Sequence, residues 1–326
     1  MEYSEQLTRE KKITEDLLFC KNDFFCMKKS VEDLHEIFSA ITLINAYQLN
    51  DDAIVLPGGK AISPASAAHC LLEFKRTAVF LRGIFKAISD LIEKEKNVIQ
   101  VLYAGCGPYS TLLLPLFPFF NSSKLKVTLV DINKISLNSS KKLIASLGLE
   151  DFIEDYFLDD LTTFKVDKPY SLVVSETMQS CLENEPQIHI MRNIIPQLKK
   201  DTIFIPQEIR VDFYASNFDL FFQKSIYENR DKNIQDKIYL NNFFTINKDN
   251  VLDCSLSGVV NNPAGNDIYM DLGLFTFIKV YNDEELRERE CSLNIPKRFT
   301  FSKDSGSKLK FWLDITGMPK VNCITI

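Results

Sequence analysis

Histidine, tryptophan and glycine are scarce in this 326-residue chain, with three, one and eleven residues respectively. The three histidines, His35, His69 and His189, stand far apart, and the eight cysteines form neither a CxxC pair nor the Cys/His spacing of a zinc module. No metal site is expected. No apolar run approaches the roughly 18 residues of a membrane span, and the charged start MEYSEQLTREKKITEDLL lacks the apolar core of a secretory leader. These absences predict a cytoplasmic chain with free thiols and no membrane partner. A basic excess is missing too: the formal charge is −6 and the isoelectric point near 5.3, which argues against nucleic acid as a partner. There is no internal repeat and no GxxxxGK[ST] loop for a nucleoside triphosphate.

The chain has ample core material, with 45% hydrophobic residues and 25 phenylalanines. Three zones succeed one another, read as 1–60, 61–206 and 207–326. The first carries the helical patterns DLLFCKNDFFCMKK and VEDLHEIFSAITLINAY, then a loop, NDDAIVLPGGKAI. Ser63 followed by Pro64 reads as the start of one helix running to about Glu95. From about Asn97 strand and helix patterns alternate: NVIQVLYA, a helix through TLLLPLF, LKVTLVDI, a helix through SSKKLIASLG, FIEDYFL, PYSLVV, a helix through IHIMRNIIPQL, and TIFIP. Apolar strands alternating with helices predict an α/β, Rossmann-like parallel sheet, whose ligands bind at the carboxyl ends of the strands. After Gln207 the patterns EIRVDFYAS, LGLFTFIKVY and KLKFWLDI predict a β-rich region, interrupted by the polar stretch YENRDKNIQDK. Trp312 within KFWLDI reads as a core residue, and NDEELREREC as an exposed charged face.

Polar residues recur where these strands end. The turn AGCGPYST follows the first strand of the sheet, and Gly105 and Gly107 let backbone approach a ligand while Ser110 and Thr111 could face an anion at a helix start. Asp131 ends the second strand, Asp159 and Asp160 the third, and Glu176 the fourth. Glycines in a turn, or an acid closing a strand, are common without any ligand. Four in register at one sheet edge point to a nucleoside-type ligand, and the lack of a third glycine disfavours a dinucleotide. The stretch SETMQSCLENE adds Glu183 and Glu185. Glu176 and Glu183 are seven apart and would share a helix face as a solvated stripe; Glu176 and Glu185 are nine apart and converge in neither a helix nor a strand. Spacing alone leaves a site and a solvated loop both open.

VLYAGCGPYS, LVDI, YFLDD and VVSETM resemble the successive motifs of class I S-adenosylmethionine-dependent methyltransferases. SETMQSCLENE further resembles the double-E loop of the protein arginine methyltransferases, in which two glutamates nine positions apart grip a guanidinium; Glu176, Glu185 and Met178 match its residues. CLLEFKRTAVF resembles that family's cofactor-covering helix, with Arg76 and Thr77 in the places that bind the methionine carboxylate of the cofactor. The resemblance implies S-adenosylmethionine held by Arg76, Tyr103, Gly105, Gly107, Asp131, Asp159, Asp160 and Glu176. It also implies a barrel-like domain after the sheet, a homodimer as one assembly, and a guanidino acceptor that is a small molecule or a peptide. Three departures accompany it: Tyr103 stands for an acid, Tyr109 for the last glycine, and no histidine follows His189, hence no Thr-His-Trp loop. The family's dimerisation arm has no clear counterpart unless FDLFFQKSIYENRDKNIQDK supplies one. The alternatives are methylation of another small biosynthetic intermediate at O, N or C, or a non-catalytic cofactor-binding protein. Glu183 reads as a solvated loop acid, His189 as a satisfied helix residue, and Cys106 as a small residue beside the ligand.

Overall fold

The computed structural model describes residues 2–49, 52–95, 97–223, 237–266, 269–302, 304 and 306–326. Residues 224–236, the larger part of the segment weighed as an arm, lie outside the described residues.

The periodic stretch at the N-terminus divides into α1 (Glu2–Phe19) and α2 (Phe24–Thr42). A single helix is interrupted there because the Asp23 carboxylate accepts a hydrogen bond from the Cys26 amide at 3.0 Å and starts a second one. Met27, Val31, Leu34 and Phe38 form the buried stripe of α2. A short antiparallel hairpin comes next, β1 (Ile54–Leu56) and β2 (Gly59–Ala61). Ser63 caps α3 (Pro64–His69) by accepting from the Ser66 amide at 3.2 Å. The single long helix expected here is broken: a tight turn at Cys70–Leu72 precedes α4 (Phe74–Lys94). At the break the Thr77 hydroxyl donates to the Leu71 carbonyl at 2.9 Å, taking an acceptor that a continuous helix would bond to a backbone amide.

Five parallel strands form the central sheet: β3 (Ile99–Ala104), β4 (Leu125–Asp131), β5 (Ile153–Leu158), β6 (Leu172–Ser175) and β7 (Ile203–Ile205). Their order is β5-β4-β3-β6-β7, so the winding reverses beside β3. That reversal opens a crevice at the carboxyl ends of the strands. α5 (Lys134–Ser146) and α6 (Gln187–Ile194) connect strands. The helix expected through TLLLPLF is instead a 3-10 turn at Leu114–Phe119, because Pro115 and Pro118 remove backbone donors an α-helix needs. With it goes the expected helix N-terminus: Ser110 is fully buried and its hydroxyl bonds that of Ser140 at 2.5 Å.

The β-rich region contains β8 (Glu208–Ser216), a short α7 (Phe218–Gln223), β9 (Lys237–Asn247), β10 (Ser257–Asn261), β11 (Asp271–Tyr281), β12 (Glu284–Leu286), β13 (Lys297–Thr300), β14 (Lys308–Asp314) and β15 (Lys320–Thr325). One antiparallel sheet runs β12-β11-β8-β9 with β13 also on β11, and a second runs β10-β14-β15. Phe213 of the first sheet meets Phe311 of the second with ring centroids 5.1 Å apart. Leu309, Phe311 and Leu313 point inward, so strand alternation turns Trp312 to the other face, where it is half-buried rather than part of the core.

α4 joins the two parts. Gly83 lies so close to β11 that a Cβ there would stand 2.6 Å from Val280 Cγ1, and the Tyr281 hydroxyl donates to Asp90 at 2.8 Å. The charged run NDEELREREC also meets this helix: Glu284 is largely buried between Arg82 at 3.3 Å and Lys86 at 2.7 Å, whereas Asp283 stays exposed. No helix among the described residues is long and apolar enough to cross a membrane.

Candidate active site

The crevice at the strand ends is a cavity of about 710 Å³, within the range of small-molecule sites. The parallel sheet supplies Gly105 and Gly107 after β3, Asp131 at the end of β4, Asp159 and Asp160 after β5, and Glu176 after β6. Register explains the convergence. Ala104 pairs with Val130 and Ser175, so the residues beyond them leave the sheet side by side.

Each of these groups is fixed by its neighbours. Gly105 and Gly107 have φ of +81° and +65°, the left-handed region that glycine enters without penalty. Asp131 accepts from the Gly107 amide at 2.8 Å and the Asn133 amide at 2.7 Å, which ties the glycine turn to the acid that ends the next strand. Burial raises the pKa of Asp131 against these two bonds. Asp160 caps the turn after β5 by accepting from the Thr162 amide and hydroxyl, both at 2.8 Å, while Asp159 is exposed at the rim. Tyr103 is buried under the turn, lines the cavity, and accepts from the Leu112 amide at 3.4 Å. Tyr109 points elsewhere: its hydroxyl bonds the Ile44 carbonyl and its ring packs on Phe38, anchoring the N-terminal helices to the glycine turn.

The loop after β6 brings Glu176 and Glu185 into the same cavity. Gln187, the first residue of α6, performs the folding back. Its fully buried side chain accepts from the Thr177 amide at 2.9 Å and the Thr177 hydroxyl at 2.8 Å. Between the two acids, Cys181, Leu182 and Asn184 adopt left-handed backbone conformations that non-glycine residues avoid. Such a conformation persists only where surrounding bonds over-determine it. Here the Ser180 hydroxyl donates to the Ile295 carbonyl at 2.7 Å, the Cys181 amide to Thr276 at 3.0 Å and the Asn184 amide to the Pro319 carbonyl at 2.8 Å. Glu183 belongs to this set of anchors and is not the solvated acid expected from sequence. It pairs with Lys297 at 2.6 Å and accepts from the Val321 amide at 2.8 Å. Met178 is buried against the cavity wall. His189 bonds the Ile315 carbonyl at 3.0 Å and does not line the cavity.

Arg76, in the first turn of α4, sits between two carboxylates. Glu176 pairs with one terminal nitrogen and Glu73 with the other at 2.6 Å. Glu73, which sequence reasoning passed over, also accepts from the Ser292 amide at 2.6 Å and hydroxyl at 2.8 Å. One guanidinium thus serves two acids while Glu185 stands near. Burial pushes Glu176 up to about 7 despite the pull of Arg76, with Glu185 adding to the rise. Burial likewise raises Glu185, against Arg76, Gln179 and Lys60. Burial also works against the charge of Glu73, but Arg76 and Ser292 outweigh it and hold that carboxyl below its usual range. One oxygen of Glu176, Oε1, is buried without a protein partner. A buried carboxylate oxygen without a protein donor is open to a donor that a ligand supplies. The β-rich region reaches the cavity through Ser292, Leu293, Ile295 and Lys297.

No protein-family model matches the sequence. No curated protein matches it either. Among solved structures, a Trypanosoma brucei PRMT1 enzyme-prozyme heterotetrameric complex with AdoHcy aligns with a TM-score of 0.51 and 12% identity, covering 79% of this chain and 99% of that one. The chain has the protein arginine methyltransferase fold. The structure of Arabidopsis thaliana protein arginine methyltransferase 10 matches with a TM-score of 0.49 and 12% identity, over 76% of this chain and 89% of that one. The T. brucei match spans nearly all of that chain, so this fold includes the β-rich part as well as the parallel sheet. At such identity the likeness concerns the backbone, and the chemistry rests on the side chains that line the cavity.

Proposed function

We propose that the protein is an S-adenosylmethionine-dependent N-methyltransferase acting on a guanidino group. The observation that carries this reading is the burial of Glu176 and Glu185 in one cavity, with a Glu176 oxygen lacking a donor. The sheet-edge residues fit the cofactor. Gly105 and Gly107 would admit the nucleoside to the backbone, and Asp131, whose Oδ1 accepts from the Asn133 amide alone, would accept a ribose hydroxyl. Asp159 and Asp160 would border the base, with Tyr103 beneath, and Arg76 would meet the methionine carboxylate with the donors that Glu73 and Glu176 leave over. When bound, S-adenosylmethionine supplies an electrophilic methyl group on a sulfonium.

The acids supply the rest. A guanidinium is a poor nucleophile because its lone pairs are delocalised and its pKa exceeds about 12. Glu176 and Glu185 would hold its plane through forked, charge-assisted hydrogen bonds and concentrate electron density on the nitrogen turned to the methyl. Empty, the pair is costly to ionise: burial raises both carboxyls, and the charge of Glu185 adds to the rise of Glu176. A bound cation relieves that cost, so the pair selects a cationic acceptor. Once the new N–C bond forms, the product nitrogen must lose a proton, and a carboxylate titrating near neutrality is suited to accept it. Met178, buried in the lining of the same cavity, would bound the acceptor on its apolar side.

A second reading rests on the same near-neutral Glu176: a single base of that strength would also serve a hydroxyl or amine acceptor. Transfer of labelled methyl to arginine, arginine peptides and hydroxylated or amine metabolites separates the two. Label on a guanidino nitrogen is the expected outcome. Label on oxygen alone, or calorimetry without cofactor binding, rules the proposal out.

The glycine turn gives an independent check on cofactor placement. A Cβ at Gly105 would stand 2.5 Å from Thr177 Cγ2, in a backbone conformation that strains alanine, whereas one at Gly107 would meet only Ala67 Cβ at 3.7 Å. Gly105→Ala is expected to cost about 1–3 kcal/mol of stability and to weaken S-adenosylmethionine binding about tenfold or more, with a smaller effect for Gly107→Ala. Calorimetry and denaturant titration report both quantities. Unchanged affinity in Gly105→Ala would move the cofactor away from this turn.

A further inference from the structure

The hairpin of β1 and β2 is seated on the loop that carries the two acids. The Lys60 amide donates to the Asn184 carbonyl at 2.8 Å, and Gly59 approaches so closely that a Cβ would lie 2.8 Å from that same oxygen and 2.9 Å from Glu185 C. This contact fixes where the Lys60 side chain begins. The side chain lines the cavity, half-buried, and its charge is felt at Glu185. Among the described residues, three cationic side chains line the cavity: Lys60, Arg76 and Lys297. Arg76 is committed to Glu73 and Glu176, and Lys297 to Glu183. Among the described residues, Lys60 is the lining cation outside an ion pair.

Resting on the guanidino reading, we propose that Lys60 selects an acceptor that carries a carboxylate at its other end, the class of a free guanidino amino acid. Two opposite charges then line the acceptor side: an acid pair for the guanidinium and an ammonium for the carboxylate. The hairpin contact places Lys60 beside the Glu185 end of the loop, whereas Arg76, although its charge also reaches Glu185, is held by its direct pair with Glu176 next to the sheet edge assigned to the cofactor. A peptide-linked arginine has no carboxylate of its own to offer Lys60. A decarboxylated guanidino amine offers none either and pays for leaving the ammonium unanswered.

The test compares kcat/KM for arginine, agmatine and N-acetyl-arginine amide in wild type, Lys60→Ala and Lys60→Arg, with S-adenosylmethionine affinity measured in each. Wild type is expected to prefer arginine over the other two by about tenfold or more, the scale of one charge-assisted hydrogen bond. Lys60→Ala should bring the three acceptors to within about threefold of one another, and Lys60→Arg should restore the preference. Cofactor affinity should be unaffected by either change. A preference that survives Lys60→Ala, or a wild-type preference for the amide or agmatine, overturns the role of Lys60 while leaving the guanidino reading intact. A Lys60→Ala variant that loses cofactor affinity and keeps the acceptor ratio places the ammonium on the cofactor and also overturns it. Cofactor binding with no transfer to any of the three acceptors removes the guanidino reading, and this proposal with it.

Discussion

Glu185→Gln is expected to lower methyl transfer to a guanidino acceptor by roughly two to three orders of magnitude, the scale of removing one group aimed at developing charge. The change keeps the shape and most hydrogen-bonding capacity but deletes one of the two charges that make a guanidinium the preferred guest. Glu185 stands apart from Arg76's two ion pairs, so S-adenosylmethionine affinity should stay within about threefold of wild type, as calorimetry would read. Glu176→Gln should abolish transfer equally. It also releases Arg76 from one of its partners, and its cofactor affinity should therefore change as well. If Glu185→Gln retains a third or more of wild-type activity, the paired-acid mechanism fails.

The dependence of kcat/KM on pH should be as large. Burial holds Glu176 near 7 in the empty protein, and a cationic acceptor needs the ionised form. The rate should climb about tenfold per pH unit up to neutrality and flatten above it, leaving about one hundredth of the plateau at pH 5. Stability moves in the opposite sense. A carboxyl raised from an ordinary value of 4.5 to about 7 contributes stability that is whole below 4.5 and lost as pH rises through 7. The empty protein should lose this contribution over that window, and Glu176→Gln should erase the change. A profile whose lower limb falls near pH 4.5 would show that Glu176 ionises as an exposed acid does.

Fold and site were legible to different depths. The α/β core could be read because apolar strands alternate with amphipathic helices, and the β-rich part because side chains alternate along its strands. Helix continuity was not legible. Apolar periodicity runs unbroken through Asp23 and through Glu73, while one aspartate cap and one threonine hydroxyl break the helices. In TLLLPLF the prolines were visible, and the apolar run around them masked their effect. The register of Gly105, Asp131, Asp159, Asp160 and Glu176 could be read from strand ends, which sequence marks well. Glu73, Gln187 and Lys60 were missed because each acts across a distance no pattern encodes. Glu73 reaches Ser292, Gln187 holds Thr177, and Lys60 is brought to Glu185 by a backbone contact. For Gln187, its place one residue after Pro186 at a helix start was the only local hint. Trp312 was misplaced for a simpler reason: an aromatic in a strand has two faces to choose from, and only the neighbours Phe311 and Leu313 decide which is inside.

The helix α4 has a consequence for how this protein can vary. It presents Arg76 to the acids at one end, lays Gly83 on Val280 in its middle, and meets Tyr281 through Asp90 further on. Each residue added to a helix rotates the remainder of that helix by about 100° and advances it about 1.5 Å. An insertion or deletion between Arg76 and Gly83 would therefore swing the guanidinium off its two carboxylates or lift the helix from β11. Substitutions on its outer side leave both ends in phase. Along this segment a change of letter is felt locally, as where Arg82 and Lys86 meet Glu284, but a change of length is felt at both ends at once.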